Sequence, residues 1–156
     1  TKRAGYMKFE VKDAPVRVTE RRLTERVRNQ WMRLAGDRLP SLREVEALNF
    51  GPDRDYCFAV DMRLSDILPY FIFMGEELAR YSSLYPMGDA RREKTLLDTA
   101  MVKMDEATLS RAPVEFSEIK RLDDGRRVAF RSILLPLSEN GTDVSHIFGA
   151  ARGKGV

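Results

Sequence analysis

Few residues in this chain have side chains suited to chemistry. The sequence holds one cysteine, Cys57, and one histidine, His146. A zinc site needs three or four nitrogen or sulfur ligands, and one His with one Cys cannot supply them. A haem sensor usually takes its axial histidine from a helix, whereas His146 lies in a strand-like run with Val144 and Phe148. The sequence therefore has no zinc or haem signature.

Enzyme motifs are also absent from the sequence. There is no Gly-x-Ser-x-Gly motif, no phosphate-binding glycine loop and no metal-binding carboxylate motif. An acid–base residue deep in a cavity would have to be His146 or Asp61, and Asp61 falls on the polar face of its predicted strand. We therefore expect no enzyme activity, and a small cone-shaped enzyme or carrier is kept as an alternative.

The composition predicts one globular domain. A length of 156 residues allows a substantial core, and 43% hydrophobic residues is typical of globular proteins. No apolar run approaches the roughly 20 residues that span a bilayer. A single cysteine rules out an internal disulfide and fits a reducing compartment, so we expect the cytoplasm.

Positive charge is concentrated at the start of the chain. Residues 1–36 hold ten Lys/Arg and four Asp/Glu, a net charge of +6, and the other 120 hold seventeen and twenty, a net charge of −3; together these give +3. Such asymmetry can indicate a nucleic-acid or anionic membrane contact, and a solvated helix face explains it more simply. Because no nucleic-acid recognition motif accompanies it, we expect no nucleic-acid partner and keep nucleic-acid binding as an alternative.

The first predicted elements are helices. Over Glu20–Ala35 the apolar residues recur at helical spacing, and these residues are Leu23, Val27, Trp31 and Leu34. This stripe either packs on the outer face of a sheet or forms the seam of a homodimer. A second helix, Leu42–Leu48, follows Ser41 and Glu44, which are spaced as a capping box.

The middle of the chain predicts two strands and then helices. Tyr56–Leu64 alternates between apolar and polar residues, which predicts a strand with one buried side. Leu68–Met74 is its predicted partner strand. A short helix at Glu76–Tyr81 and a long helix over roughly Asp89–Leu109 come next.

The last third predicts an antiparallel meander. The strand-like runs are Val114–Leu122, Val128–Leu137 and Val144–Ala151. Asp124-Gly125 and Asn140-Gly141 separate them, and Asx-Gly pairs accept the positive φ angles of hairpin turns.

This order resembles the PAS domain, in which two strands, a helical crossover and a three-stranded meander close one sheet. Several stretches are similar to the short single-domain PAS-like proteins of alphaproteobacteria. They are Gln30-Trp31-Met32-Arg33-Leu34, Leu39-Pro40-Ser41, Leu68-Pro69-Tyr70-Phe71, Phe73-Met74-Gly75-Glu76-Glu77-Leu78 and Leu134-Leu135-Pro136-Leu137.

The resemblance implies an α+β fold: a PAS-like five-stranded antiparallel sheet with a helical crossover and N-terminal flanking helices. It divides the chain into an arm at 1–19, a PAS-like domain at 20–152 and a tail at 153–156. Within the domain, 20–48 would be the flanking helices and 56–152 the PAS core.

The resemblance also implies a non-enzymatic sensory or regulatory module in signal transduction, and a homodimer. Its partners would be a small-molecule ligand, signalling proteins such as components of histidine-kinase pathways, or both. The cofactor is left open, because Cys57 lies in a strand rather than on a helix as a flavin photosensor requires. The candidate pocket residues are Phe58, Val60, Phe73, Met101, Met104, Phe130, Ser132, His146 and Phe148, with Thr108 as a further polar candidate.

Overall fold

The computed structural model describes residues 22–64, 70–83, 103–121 and 124–155. In chain order the elements are α1 (Leu23–Leu34), α2 (Leu42–Glu46), a 3₁₀ helix (Gly51–Tyr56), β1 (Cys57–Asp61), β2 (Tyr70–Met74), α3 (Glu76–Ser83), α4 (Met104–Ser110), β3 (Val114–Arg121), β4 (Arg127–Leu137) and β5 (His146–Gly155). The predicted arm and most of the predicted long helix lie outside these residues.

The five strands form one antiparallel sheet in the spatial order β2-β1-β5-β4-β3. Pairing of β1 with β5 joins the first strand pair to the C-terminal meander. The helices α3 and α4 come between β2 and β3 in the chain and thus lie in the crossover. This arrangement confirms the predicted α+β, PAS-like fold class.

Both faces of the sheet are buried at its centre. Every residue of β1 is buried, so the prediction of a single buried side was wrong. Phe58 and Val60 pack with α3 and α4 on what we call the crossover face. Cys57 and Ala59 pack with α1 on the opposite side, the outer face. A strand with helices on both sides has no solvated face, whatever its polar alternation suggests.

Helix α1 is fixed to the outer face by apolar and polar contacts. Leu23, Val27 and Trp31 are buried there. The Trp31 Nε1 group donates a hydrogen bond to the Pro136 carbonyl at 3.0 Å. Arg26 donates from Nε and Nη2 to both carboxylate oxygens of Asp53, at 2.8 and 2.9 Å, which ties α1 to the 3₁₀ helix.

The local capping and turn predictions are confirmed. Ser41 and Glu44 form a reciprocal capping box at the start of α2. Gly125 and Gly141 have φ angles of +91° and +88°, which glycine adopts without strain. Asn140 and Gly141, however, belong to a longer connection at 138–145, where the Asn140 side chain accepts hydrogen bonds from nearby backbone amides.

Strand β5 runs further than predicted. Its pairing with β4 continues to Gly155, which lies opposite Val128. Residues 153–155 are therefore part of the sheet and not a tail.

Candidate functional site

Apolar side chains from six elements meet between the crossover face and the helices α3 and α4. We call this group the crossover-face cluster. Its buried members are Phe58, Val60, Leu78, Met104, Ala107, Val114, Phe130, Leu134, Ile147 and Ala151. Four of the predicted pocket residues are among them: Phe58, Val60, Met104 and Phe130.

The centre of the cluster is closely packed around one aromatic ring. Phe58 lies directly over the backbone of Gly149, where a Cβ atom would overlap the ring. Phe71 approaches Phe58 edge-on, with ring centroids 5.8 Å apart and an interplanar angle of 63°. Edge-to-face geometry is a favourable aromatic arrangement.

One side of the cluster is only partly covered. Met62, Phe71, Met74 and Val144 pack against it and keep part of their surface exposed, and we call these four residues the rim. Thioether side chains adapt to irregular apolar shapes. An apolar interior with a partly open rim is the kind of surface that lines small-molecule sites.

Two polar candidates lie near this cluster. Ser132 is buried and lies two positions from both Phe130 and Leu134 in β4, so its side chain is on the same crossover face as theirs. The Thr108 hydroxyl donates to the Met104 carbonyl at 2.9 Å, which satisfies it within α4. Ser132 is therefore a buried hydroxyl on this face, and the half-buried Glu118, which lies opposite Phe130, is on the same face of β3.

Two predicted pocket residues lie on the other face of the sheet. Phe73 packs into the outer-face core and lies 4.3 Å from the Arg54 guanidinium carbon, and Phe148 stacks on Phe50 with centroids 5.2 Å apart. The register of β1 and β2 shifts between Ala59 and Val60. This bulge explains the position of Phe73, because it puts that residue on the face opposite to Phe71. Met101 lies outside the described residues.

His146 is also on the outer side, at the beginning of β5. It is 2% exposed, and its Nε2 lies 3.5 Å from the Asp61 Oδ2 atom of the neighbouring strand. Its Nδ1 lies 2.8 Å from the Ser145 hydroxyl. The polar face that the sequence assigned to Asp61 is therefore buried here.

Arg63 fixes the charge of Asp61. Its backbone N–H and its Nε donate to Oδ1 at 2.9 and 3.0 Å, and its Nη2 donates to Oδ2 at 2.9 Å. These hydrogen bonds from the Arg63 side chain lower the pKa of Asp61 to about 2. Arg63 also donates from Nη1 to Glu139 at 2.8 Å, so the group connects β1 to the loop before β5.

Asp61, His146 and Ser145 include the residue types of a catalytic triad, and their geometry favours a structural role. Both ring nitrogens of His146 face groups of its own chain, and Ser145 is as buried as Asp61. The group can hold the ends of β1 and β5 together. Sequence reasoning named His146 and Asp61 separately, and only the strand register shows them opposite each other.

Cys57 is on the outer face and is buried. Its Sγ–H donates to the Asp53 carbonyl at 3.3 Å, and burial raises the pKa of the thiol to about 12. The sheet separates it from the crossover-face cluster, so the thiol does not fit covalent chemistry with a flavin bound on that face. Within the described ranges, no three His, Cys, Asp or Glu side chains come together to hold a metal ion.

The apolar stripe of α1, which the sequence offered as a possible dimer seam, packs against the sheet of its own chain. Leu23, Val27 and Trp31 are buried against the outer face, and Leu34 packs beside them. Of the two roles open from the sequence, the burial of Leu23, Val27 and Trp31 is in keeping with packing inside the chain, and Leu34 keeps part of its surface exposed. No helix in the described segments is long and apolar enough to cross a membrane.

The chain was compared with known families, curated proteins and solved structures. No family model matches it, and neither does a curated protein. The solved structures it resembles include the LOV protein of Rhodobacter sphaeroides, with 13% identity and a TM-score of 0.40 over 62% of this chain and 58% of that one. This chain thus matches little more than half the length of that protein.

Two further LOV structures give similar values. A fungal LOV domain photoreceptor is 13% identical with a TM-score of 0.41, over 68% of this chain and 80% of that one. The LOV domain of Aureochrome1 is 12% identical with a TM-score of 0.41, over 64% and 80%. LOV domains belong to the PAS superfamily. Similarities of this degree do not bear on function, and the fold class rests on the strand order above.

Proposed function

We propose that the chain is a non-enzymatic sensory or regulatory module that binds a small apolar ligand at the crossover-face cluster and passes the signal to a partner protein. The ligand-binding part of this proposal is supported by one observation. Four predicted pocket residues come together in one cluster with a partly exposed rim: Phe58, Val60, Met104 and Phe130. The single buried cysteine supports a reducing compartment such as the cytoplasm.

The polar groups support binding rather than catalysis. Ser132 gives the cluster one buried hydroxyl that can orient a ligand by a hydrogen bond. The titratable residues His146 and Asp61 lie across the sheet and are engaged with each other. A ligand at the cluster would therefore meet apolar walls and the Ser132 hydroxyl, on the side of the sheet away from His146 and Asp61.

Native mass spectrometry of the chain purified from its own cells tests this proposal. We expect a mass excess that disappears on denaturation. Met74→Gln places a polar amide at the rim and should reduce the ligand-bound fraction about tenfold, which corresponds to about 1.4 kcal/mol. Met32→Gln on α1 is the matched control, because Met32 is 49% exposed and lies away from the cluster.

Two results would contradict the ligand-binding proposal. One is a bare mass for the wild-type chain from native cells. The other is a mass excess that Met74→Gln and Met32→Gln leave equally unchanged, because the ligand would then be bound elsewhere.

A further inference from the structure

Aromatic and polar side chains alternate where β3 and β4 pair on the crossover face. Phe116 lies opposite Ser132, and Glu118 lies opposite Phe130, so each polar residue has an aromatic residue directly across from it. Ser132 and Glu118 are therefore diagonal neighbours. Diagonal neighbours of an antiparallel pair are about 7–8 Å apart, a separation that long side chains can bridge. One group of a bound molecule can thus contact both polar residues.

The Ser132 hydroxyl is available for such a contact. Ser132 is 1% exposed, and no hydrogen bond among the described residues involves it. The buried serines outside the cluster differ in this respect, because the hydroxyls of Ser138 and Ser145 each have a partner in their own chain. Most buried hydroxyls have a partner, since burial removes their hydrogen bonds to water. A bound molecule would give the Ser132 hydroxyl the partner that it lacks.

Charges of both signs reach this part of the face. Glu118 is half-buried on β3. Lys103, which directly precedes α4, has its Nζ atom 5.6 Å from the centroid of the Phe116 ring and 3.8 Å from the Glu106 carboxylate. Partly buried charges are screened much less than exposed ones. An anionic ligand group would therefore be repelled by Glu118, and a cationic group by Lys103.

We propose that the ligand of the crossover-face cluster is an apolar alcohol, and that Ser132 and Glu118 bind its hydroxyl group. A hydroxyl both donates and accepts hydrogen bonds and carries no charge. It can donate to the Glu118 carboxylate while it accepts from Ser132. The apolar part of the molecule would lie against Phe116 and Phe130. This inference rests on the ligand-binding part of the proposed function and names the chemical class of that ligand.

Three fluorescent probes with the same naphthalene ring test the chemical class. They are naphthylethanol, naphthylethylammonium and naphthylacetate, which carry a neutral, a positive and a negative group. Fluorescence anisotropy with the full chain gives a dissociation constant for each probe. We expect naphthylethanol to bind at least about tenfold more tightly than either ion, because like charges brought together at a binding site weaken binding on that scale or more.

Ser132→Ala tests the hydroxyl contact. It should weaken the binding of naphthylethanol about three- to tenfold, the range expected for one hydrogen bond. Thr24→Val on α1 is the matched control. Thr24 is 2% exposed and its hydroxyl has no partner, so the control also removes a buried hydroxyl, but on the other side of the sheet. We expect Thr24→Val to bind naphthylethanol as the wild type does.

Two charge variants test why the ions are rejected. Glu118→Gln should strengthen the binding of naphthylacetate, and Lys103→Gln should strengthen the binding of naphthylethylammonium, because each variant removes the like charge. Neither variant should help the other ion. Improved binding of both ions by either variant would contradict the assignment of the two charges.

Other results would overturn the inference while leaving the proposed function in place. They are tighter binding of either ion than of naphthylethanol, equal effects of Ser132→Ala and Thr24→Val, and no measurable binding of naphthylethanol. In each case a mass excess on the chain from native cells would still support a ligand at the cluster. A bare native mass would instead contradict the proposed function itself, so the two failures are distinguishable.

Discussion

Gly149 determines how closely the Phe58 ring approaches the sheet. The ring is fully buried over the Gly149 backbone and is held from the side by Phe71. Glycine is required here because of the space and not because of its backbone angles. A methyl group at this position would overlap the Phe58 ring and would have to displace it.

Gly149→Ala should lower the free energy of unfolding by about 1–3 kcal/mol, the usual cost of overpacking a core. Gly36→Ala is the control, because an added Cβ there meets no atom within 4 Å. Urea unfolding of both variants provides the measurement. Combining Gly149→Ala with Phe58→Leu should recover part of the loss. Equal stability of the Gly149 and Gly36 variants would show that Phe58 does not rest on Gly149.

At the scale of elements, α1 depends on one polar contact among its apolar ones. Pro136 lies in β4 just beyond the last residue paired with β3, Leu134, so this edge position tolerates a proline. Its carbonyl accepts the hydrogen bond from the buried Trp31 indole. The contact fixes where along the sheet the helix lies.

Trp31→Phe keeps an aromatic ring in the outer-face core and removes the donor. The unfolding free energy should fall by about 1–3 kcal/mol, because the Pro136 carbonyl is left without a partner in a buried position. Met32→Leu on the exposed side of the same helix should change stability much less. Light scattering on the same samples should give the same mass for both variants. A change in oligomeric mass confined to Trp31→Phe would return the stripe to a dimer seam.

The elements themselves were largely predictable from the sequence, and the faces of the sheet were not. Asx-Gly pairs, the Ser41–Glu44 spacing and apolar periodicity are local signals, and the structure has the turns, the capping box and the helix they predict. The face of Phe73 depends on the bulge at Ala59 and Val60. A bulge changes the alternation of side chains between the two faces of a sheet, and no residue type in this sequence marks its position.

The exposure and the partners of the polar residues were also not predictable from the sequence alone. Alternation placed Asp61 on the polar face of its strand. Its contacts there, Arg63 and His146, are indeed polar, but the side chain is buried and not solvated. Its contact with His146 depends on pairing between strands about 85 positions apart in the chain.

At the scale of the whole molecule, β5 contributes to both faces of the sheet. Ile147 and Ala151 belong to the crossover-face cluster, while Phe148 and Ala150 belong to the outer-face core. Alternation along one strand thus places side chains in both cores of the molecule.

The stability of the whole molecule in acid depends partly on Asp61. Its pKa is lowered to about 2 in the folded chain from 3.8, so its contribution is fully present above about pH 4 and is lost as the pH falls toward 2. The shift corresponds to at most about 2 kcal/mol. Solvent screening around the Arg63 side chain, which is 50% exposed, reduces this to about 1 kcal/mol.

Asp61→Asn should therefore be less stable than the wild type at pH 7, and the difference should shrink between pH 4 and pH 2. The carboxylate is needed to accept the charged hydrogen bonds of Arg63, and protonation removes that advantage from the wild type alone. Urea unfolding at several pH values measures the difference, with Asp37→Asn in an exposed loop as the control. A gap between wild type and Asp61→Asn that stays constant down to pH 2 would mean that Asp61 stabilises the fold by packing alone. A shrinking gap would instead show that the buried carboxylate and its arginine stabilise the end of β1 through charge.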